Sequence, residues 1–126
     1  MHQPPRPDSR PHILGQHSER VAERYYQGRG YATVARNFRC RLGEIDLLLW
    51  RGEELLVVEV KGRRVYNPDE AWYTRWLRKK NRLRQTLRWF LADHPDWHGR
   101  VSEFRVEIVF VTQGRVAERF LDETFL

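Results

Sequence analysis

Residues 43–63 read GEIDLLLWRGEELLVVEVKGR: two apolar runs around a short polar turn, with carboxylates inside both. Side chains alternate along a strand, so parity decides which residues share a face. A two-residue loop at Gly52-Glu53, glycine first as a type II′ turn prefers, pairs Arg51 with Glu54. Ile45, Leu47 and Leu49 then meet Val60, Val58 and Leu56 on one wholly apolar face. On the other face Asp46 falls opposite Glu59 and Glu44 opposite Lys61, beside Leu48, Trp50, Leu55 and Val57. A slip of one residue would turn the carboxylates into the core, so few registers are open to this hairpin.

Like charges directly across a ladder repel by up to about 1 kcal/mol unless something positive lies between them. A hard divalent cation would serve, since Mg²⁺ typically takes one or two carboxylates with waters and substrate phosphate. Lys61, two residues beyond Glu59 on the same face, can orient a water or neutralise a phosphate oxygen. The competing reading is a solvated amphipathic face on which Lys61 simply offsets the acids. The apolar neighbours on that face imply that it is mostly covered, with the acids gathered at one end. On the residues alone both readings stay open.

Around the hairpin, Ser18 is placed to cap a helix bearing Val21, Ala22, Tyr25 and Tyr26 at helical spacing, with Gly28 and Gly30 stopping it. Tyr31–Cys40 has strand character. Asn67-Pro68-Asp69 starts a second helix that runs to about Ala92, with Trp72, Trp76, Leu83, Leu87 and Phe90 on one buried stripe. Phe104–Thr112 and Arg115–Phe120 read as strands about a Gln113-Gly114 turn. The order of elements, helix, three strands, helix, then one or two strands, predicts an α/β (α+β) fold with a mixed sheet and helices packed on it.

The chain of 126 residues is long enough for one domain with a real core. Residues 1–13, with four prolines and no hydrophobic stretch, are expected to be a mobile, weakly basic tail, leaving 14–126 as the domain. No apolar run of about 18 residues offers a transmembrane helix. The single cysteine, Cys40, excludes an internal disulfide, suits a reducing cytoplasm and is expected to be a small buried apolar group. The five histidines show no compact metal-ligand spacing. Lys and Arg outnumber Asp and Glu by 23 to 17, which favours a polyanionic partner, nucleic acid before membrane.

The basic excess concentrates on the second helix, in Arg75, Arg78, Lys79, Lys80, Arg82, Arg84 and Arg88. Most of these should point away from the apolar stripe and be free to contact phosphates, the bland alternative being a solvated face. Lys79 lies on the stripe's own row, so it should snorkel to the rim or reach towards the acidic cluster. Trp72, Trp76 and Trp89 can stack on bases, although packing on the sheet suits the first two better.

The spacing of Asp46 from the run Glu59-Val60-Lys61 resembles the catalytic motif of the PD-(D/E)XK nucleases. A longer set of matches is more specific. Gly15–Glu19 (GxxxE), Gly30–Leu47 (GYxxxxRNxRCxxGEIDL) and Val57–Arg63 (VVEVKxR) resemble the YraN-type family of small bacterial proteins, and weaker matches extend the likeness over residues 14–126. Departures fall at Ser18, where the family often has glycine, and across Trp72 to Arg78.

This resemblance implies a restriction-endonuclease-like αβββαβ core related to archaeal Holliday junction resolvases. It makes Asp46, Glu59 and Lys61 an active-site trio, with Glu19 an acid contributed by the first helix. Asp46, Glu59 and the carbonyl of Val60 would hold Mg²⁺ or Mn²⁺, and Arg63 would join the α-helical cations on nucleic acid. Glu19 reads equally well as an acid interacting with a helix dipole. The expected function is a metal-dependent DNA endonuclease acting on branched or recombination intermediates, and resolvase-like action would also predict a symmetric homodimer. The alternatives are a nucleic-acid-binding accessory protein with an idle nuclease fold and a protein-interaction module with an incidental basic face.

Overall fold

The computed structural model describes residues 10–63 and 71–123, with side chains from residue 15 onward. Helix α1 spans Arg10–Gln27. It starts well upstream of Ser18, which is therefore no N-cap: Ser18 lies inside the helix and is buried. A serine's capping tendency is local and weak, and burial of a small side chain overrides it. At the other end the expected glycine stop holds. Gly30, at φ +90°, lets the N–H of Tyr31 return to the carbonyl of Tyr26 and its own N–H to that of Gln27, closing the helix with a Schellman pattern.

Three antiparallel strands follow, β1 (Ala32–Cys40), β2 (Gly43–Arg51) and β3 (Glu54–Arg63). Helix α2 (Ala71–Asp93) then crosses over to β4 (Glu103–Thr112), which lies parallel to β3, and β5 (Arg115–Leu121) closes the sheet antiparallel to β4. A short 3₁₀ turn at Pro95–Gly99, not anticipated from the pattern, leads out of α2. The sheet order is β1-β2-β3-β4-β5, a mixed five-stranded sheet and the element order expected. The expected helix start at Asn67-Pro68-Asp69 lies outside the described residues, as do residues 1–9 of the expected tail. Among the described residues, no helix is long and apolar enough to cross a membrane.

Each helix covers one face of the sheet. Ala22 and Tyr26 of α1 pack with Leu47, Leu49, Leu56, Val58, Val109 and Val111. Trp76, Leu83, Leu87 and Phe90 of α2 pack with Leu48, Leu55, Val57, Val106, Ile108 and Phe110. This explains why the hairpin carries apolar residues at both parities: β2 and β3 are central strands buried on both sides.

The hairpin register is the one read from the turn, with Arg51 opposite Glu54, Leu49 opposite Leu56 and Leu47 opposite Val58. Gly52 holds φ +60° at the turn's first central position while Glu53 stays at negative φ, as a type II′ turn requires. One parity assignment fails. Ile45 packs on the α2 side, not with Leu47 and Leu49. Its neighbour across β1 is Phe38, which also packs on the α2 side, whereas Arg36, opposite Leu47, reaches α1. Asn37, at φ +50° between Arg36 and Phe38, breaks the alternation there. Cys40, expected to be buried, is only half-buried.

Candidate active site

The β2–β3 ladder runs from Arg51–Glu54 to Leu47–Val58 and stops. The pairs expected beyond it, Asp46–Glu59, Ile45–Val60 and Glu44–Lys61, do not form ladder rungs. Instead the Asp46 carboxylate reaches across, and its Oδ2 accepts the backbone N–H of Val60 at 2.9 Å. β3 itself continues against β4, with Glu59 beside Ile108, Val60 beside Val109 and Lys61 beside Phe110. The two strands therefore part where their carboxylates begin, and a side chain bridges the opening.

Glu59 leaves β3 on the α2 side, and its side chain is only 2% exposed. Its Oε1 accepts from Lys61 Nζ at 3.4 Å and from Lys79 Nζ of α2. Its Oε2 is buried with no hydrogen-bond partner among the described residues. Lys79, placed by the helical stripe either at the rim or towards the acids, thus does the second. Burial works to lower the pKa of its ammonium, but the charge of Glu59, with Asp46 and Glu44 beyond, holds it above the usual lysine value.

Burial, and after it the Glu59 charge, pushes Asp46 up to about 7, against the opposing help of the Val60 N–H and Lys79. The charge of Glu19 on α1 adds to that push, which puts Glu19 at the same end of the sheet. Glu19 is half-buried and lines an open cavity of about 320 Å³ with Gln16, Arg20, Glu23, Arg36, Asn37 and Leu47. Thus Asp46, Glu59, Lys61 and Glu19, far apart in sequence, gather at one end of the sheet, together with Lys79.

Among the described residues no group of three or more His, Cys, Asp or Glu side chains is placed to cage a metal. The site nonetheless fits one hard cation with an incomplete protein shell. A buried carboxylate oxygen, Glu59 Oε2, has no hydrogen-bond partner among the described residues, and a second carboxylate, Asp46, is disfavoured as an anion by its burial and by the Glu59 charge. Mg²⁺ and Mn²⁺ take such oxygen sets, filling the remaining positions with water.

The expected nucleic-acid contacts divide. Arg75, Arg78, Lys79 and Arg82 line one groove of about 410 Å³ with Gly43, Glu44 and Leu83, so the cations of α2 run up to the carboxylates. Arg63 is exposed at the end of β3. Lys80 turns the other way: it is 13% exposed and pairs with the buried Asp122 at 3.1 Å, which also accepts from Trp76 Nε1 at 2.7 Å. Glu54 and Glu107, two further buried carboxylates, accept from the hydroxyls of Tyr31 and Tyr26 on the α1 side. Nothing in the strand pattern flags these partnerships, because each joins residues at least 23 positions apart.

Residues 18–111, most of the chain and all of this site, match the model of the uncharacterised protein family UPF0102. A UPF0102 protein of Beutenbergia cavernae is 42% identical over 105 residues, covering 81% of this chain and 84% of that protein. One from Synechococcus sp. is 35% identical over 113 residues, 86% of this chain and 91% of that protein. A third, from Alcanivorax borkumensis, is 38% identical over 92 residues, 73% and 74% of the two chains. With most of each sequence aligned in every case, the chain belongs to the UPF0102 family.

Proposed function

We propose that this chain is a metal-dependent endonuclease of the PD-(D/E)XK type, related to Holliday junction resolvases, that hydrolyses DNA phosphodiester bonds in branched or recombination intermediates. The observation that carries the reading is the pair of carboxylates at the parting of β2 and β3, with a partnerless Glu59 Oε2 beside a buried Asp46 and Lys61 within reach. Asp46 and Glu59, with the carbonyl of Val60, would hold Mg²⁺ or Mn²⁺. When bound, the cation supplies Lewis-acid activation of water and neutralises charge on the phosphate.

The chain's own groups would do the rest. Lys61, 20% exposed, is held at the rim by Glu59 and would orient the attacking water or stabilise the developing oxyanion. Glu19 would accept a proton or hold an outer water from the α1 side. Arg75, Arg78 and Arg82 would bind phosphates of the strand approaching along α2. A bacterial cytoplasm, where such DNA lies, suits a chain with one cysteine.

A second reading has its own support. Glu59 Oε1 already meets two lysines, and no three-acid cage forms among the described residues, which suits a DNA-binding accessory protein whose nuclease-like site is idle. Incubating the protein with branched, duplex and single-stranded DNA in Mg²⁺ and Mn²⁺, beside Asp46→Ala and Lys61→Ala, separates the two. Cleavage lost in both variants supports the nuclease. Equal cleavage by wild type and Asp46→Ala would sink the site, and salt-sensitive binding without cleavage would favour the accessory role.

A further inference from the structure

The three tryptophans of α2 have different surroundings. Trp76 is buried against Asp122, and Trp72 packs edge-on against Phe110 and Phe120. Trp89 keeps 42% of its surface exposed. The guanidinium of Arg41, from the turn between β1 and β2, stands 5.8 Å from its ring centroid. That turn is pressed against the helix: a Cβ built on Gly43 would come within 2.8 Å of the Thr86 hydroxyl. Close backbone approach therefore brings Arg41 to α2.

The cationic groove of Arg75, Arg78, Lys79 and Arg82 runs along the same helix. Arg82 precedes Trp89 by seven residues, a rise of about 10 Å. Among the described residues neither Arg41 nor Arg82 is ion-paired to a carboxylate. The other exposed apolar groups of α2 lack this setting: Tyr73 rests against Trp72 and Phe120, and no arginine among the described residues is stacked on Tyr73 or Leu77.

We propose that Trp89, backed by Arg41, is a stacking site for an unpaired DNA base at the far end of this groove. This rests on the nucleic-acid reading above and narrows its substrate to DNA with a single-stranded flank, as in a flap or branch, over blunt duplex. An exposed indole can stack only on a base whose face is free, and in a duplex both faces are covered by neighbouring bases. Every base has such a face, so the site would be tolerant of sequence. The arginine adds cation–π contact and attraction for phosphate. Lys79, which touches Glu59, lies ten residues before Trp89, a rise of about 15 Å. At about 3.4 Å per stacked nucleotide, the unpaired base lies within about four nucleotides of the scissile phosphate.

The test uses the full chain and its Trp89→Ala and Trp89→Phe variants, in chelator so that no strand is cut. Two probes are compared: a blunt duplex, and the same duplex with a single-stranded tail carrying 2-aminopurine about four nucleotides from the junction. Wild type should quench the 2-aminopurine and bind the tailed probe more tightly. Trp89→Ala should lose the quenching and bind the tailed probe about 5- to 150-fold more weakly, with blunt-duplex affinity unchanged. Trp89→Phe should recover most of both. Equal affinity of wild type and Trp89→Ala for the tailed probe, or equal losses on both probes, overturns the stacking site while leaving DNA binding intact. Failure of wild type to bind either probe overturns the proposal together with the reading beneath it.

Discussion

Asp46 Oδ2 accepts the backbone N–H of Val60 at 2.9 Å, joining β2 to β3 just beyond Leu47–Val58, the last rung of their ladder. A carboxylate thus takes over the bond that a strand would have made, and it does so beside a second buried carboxylate. The geometry satisfies a backbone donor but buries two carboxylates near each other where two strands part, and the properties of the site follow from that burial and from their mutual repulsion.

The first consequence is a pH dependence of stability in the metal-free protein. Asp46 is raised from an ordinary carboxylate value to about 7 in the folded state, so the fold holds this proton more tightly than the unfolded chain does. Its contribution is fully present below about pH 4 and is lost as pH rises through about 7. Each tenfold difference in proton affinity between the folded and unfolded chains contributes about 1.4 kcal/mol as an upper bound. Asp46→Asn keeps an oxygen for the Val60 N–H and removes the titration. Urea unfolding in chelator should show the wild type losing stability relative to Asp46→Asn between pH 4 and 7; parallel curves would refute the assignment.

Lys79 is 42% exposed while its partner Glu59 is 2% exposed, so the cost of breaking this pair falls on the carboxylate. Lys79→Met should destabilise the metal-free fold by about 1–3 kcal/mol, below the loss for a fully buried pair because Lys79 is partly wet. Added Mg²⁺ should recover more stability in the variant than in wild type, since the cation restores positive charge beside Glu59. Thermal unfolding with and without Mg²⁺ measures this, and an identical Mg²⁺ response in the two proteins would count against a cation at Glu59.

Asn37 sits at φ +50° in an edge strand. Glycine adopts that conformation freely and a β-branched residue does not. Asn37→Gly should leave stability within about 0.5 kcal/mol of wild type, whereas Asn37→Val should cost about 1–2 kcal/mol. Comparable losses in both would mean that the side chain, not the backbone angle, sets the crossing of Phe38 and Ile45 to the α2 face.

Arg78 and Arg82 line the groove leading to the carboxylates. If both contact phosphates, the double variant Arg78→Ala/Arg82→Ala should bind duplex DNA with a log–log salt slope shallower by about two. Lys80→Ala should leave that slope unchanged and lower the unfolding temperature instead, because Lys80 pairs with the buried Asp122. Salt titrations of affinity decide the matter; an unaltered slope in the double variant would remove this groove from the binding path.

Much of the architecture was legible from local rules. The turn Gly52-Glu53 set the register of β2 on β3, because a two-residue loop leaves one pairing free of strain. The apolar stripe from Trp72 to Phe90 located the buried face of α2, because helical spacing is periodic. Misreadings arose where a local tendency met long-range packing. Ser18 is a good cap in isolation but is buried inside α1, and Ile45 of β2 departs from the parity of Leu47 and Leu49 where the paired strand β1 loses its alternation at Asn37.

By itself, then, the sequence determined the order of elements, the hairpin register and the set of acids and lysines that parity could bring to one end of the sheet. These depend on near neighbours and on repeats of two or of about three and a half residues. The tertiary structure decided that the ladder stops at Leu47, that Lys79 is drawn to Glu59 while Lys80 is drawn to Asp122, and that Trp89 alone of the three α2 tryptophans stays largely outside the core. Those outcomes depend on sheet twist and on where α2 crosses the strands. Such distances between remote segments are set only when both helices close on the sheet.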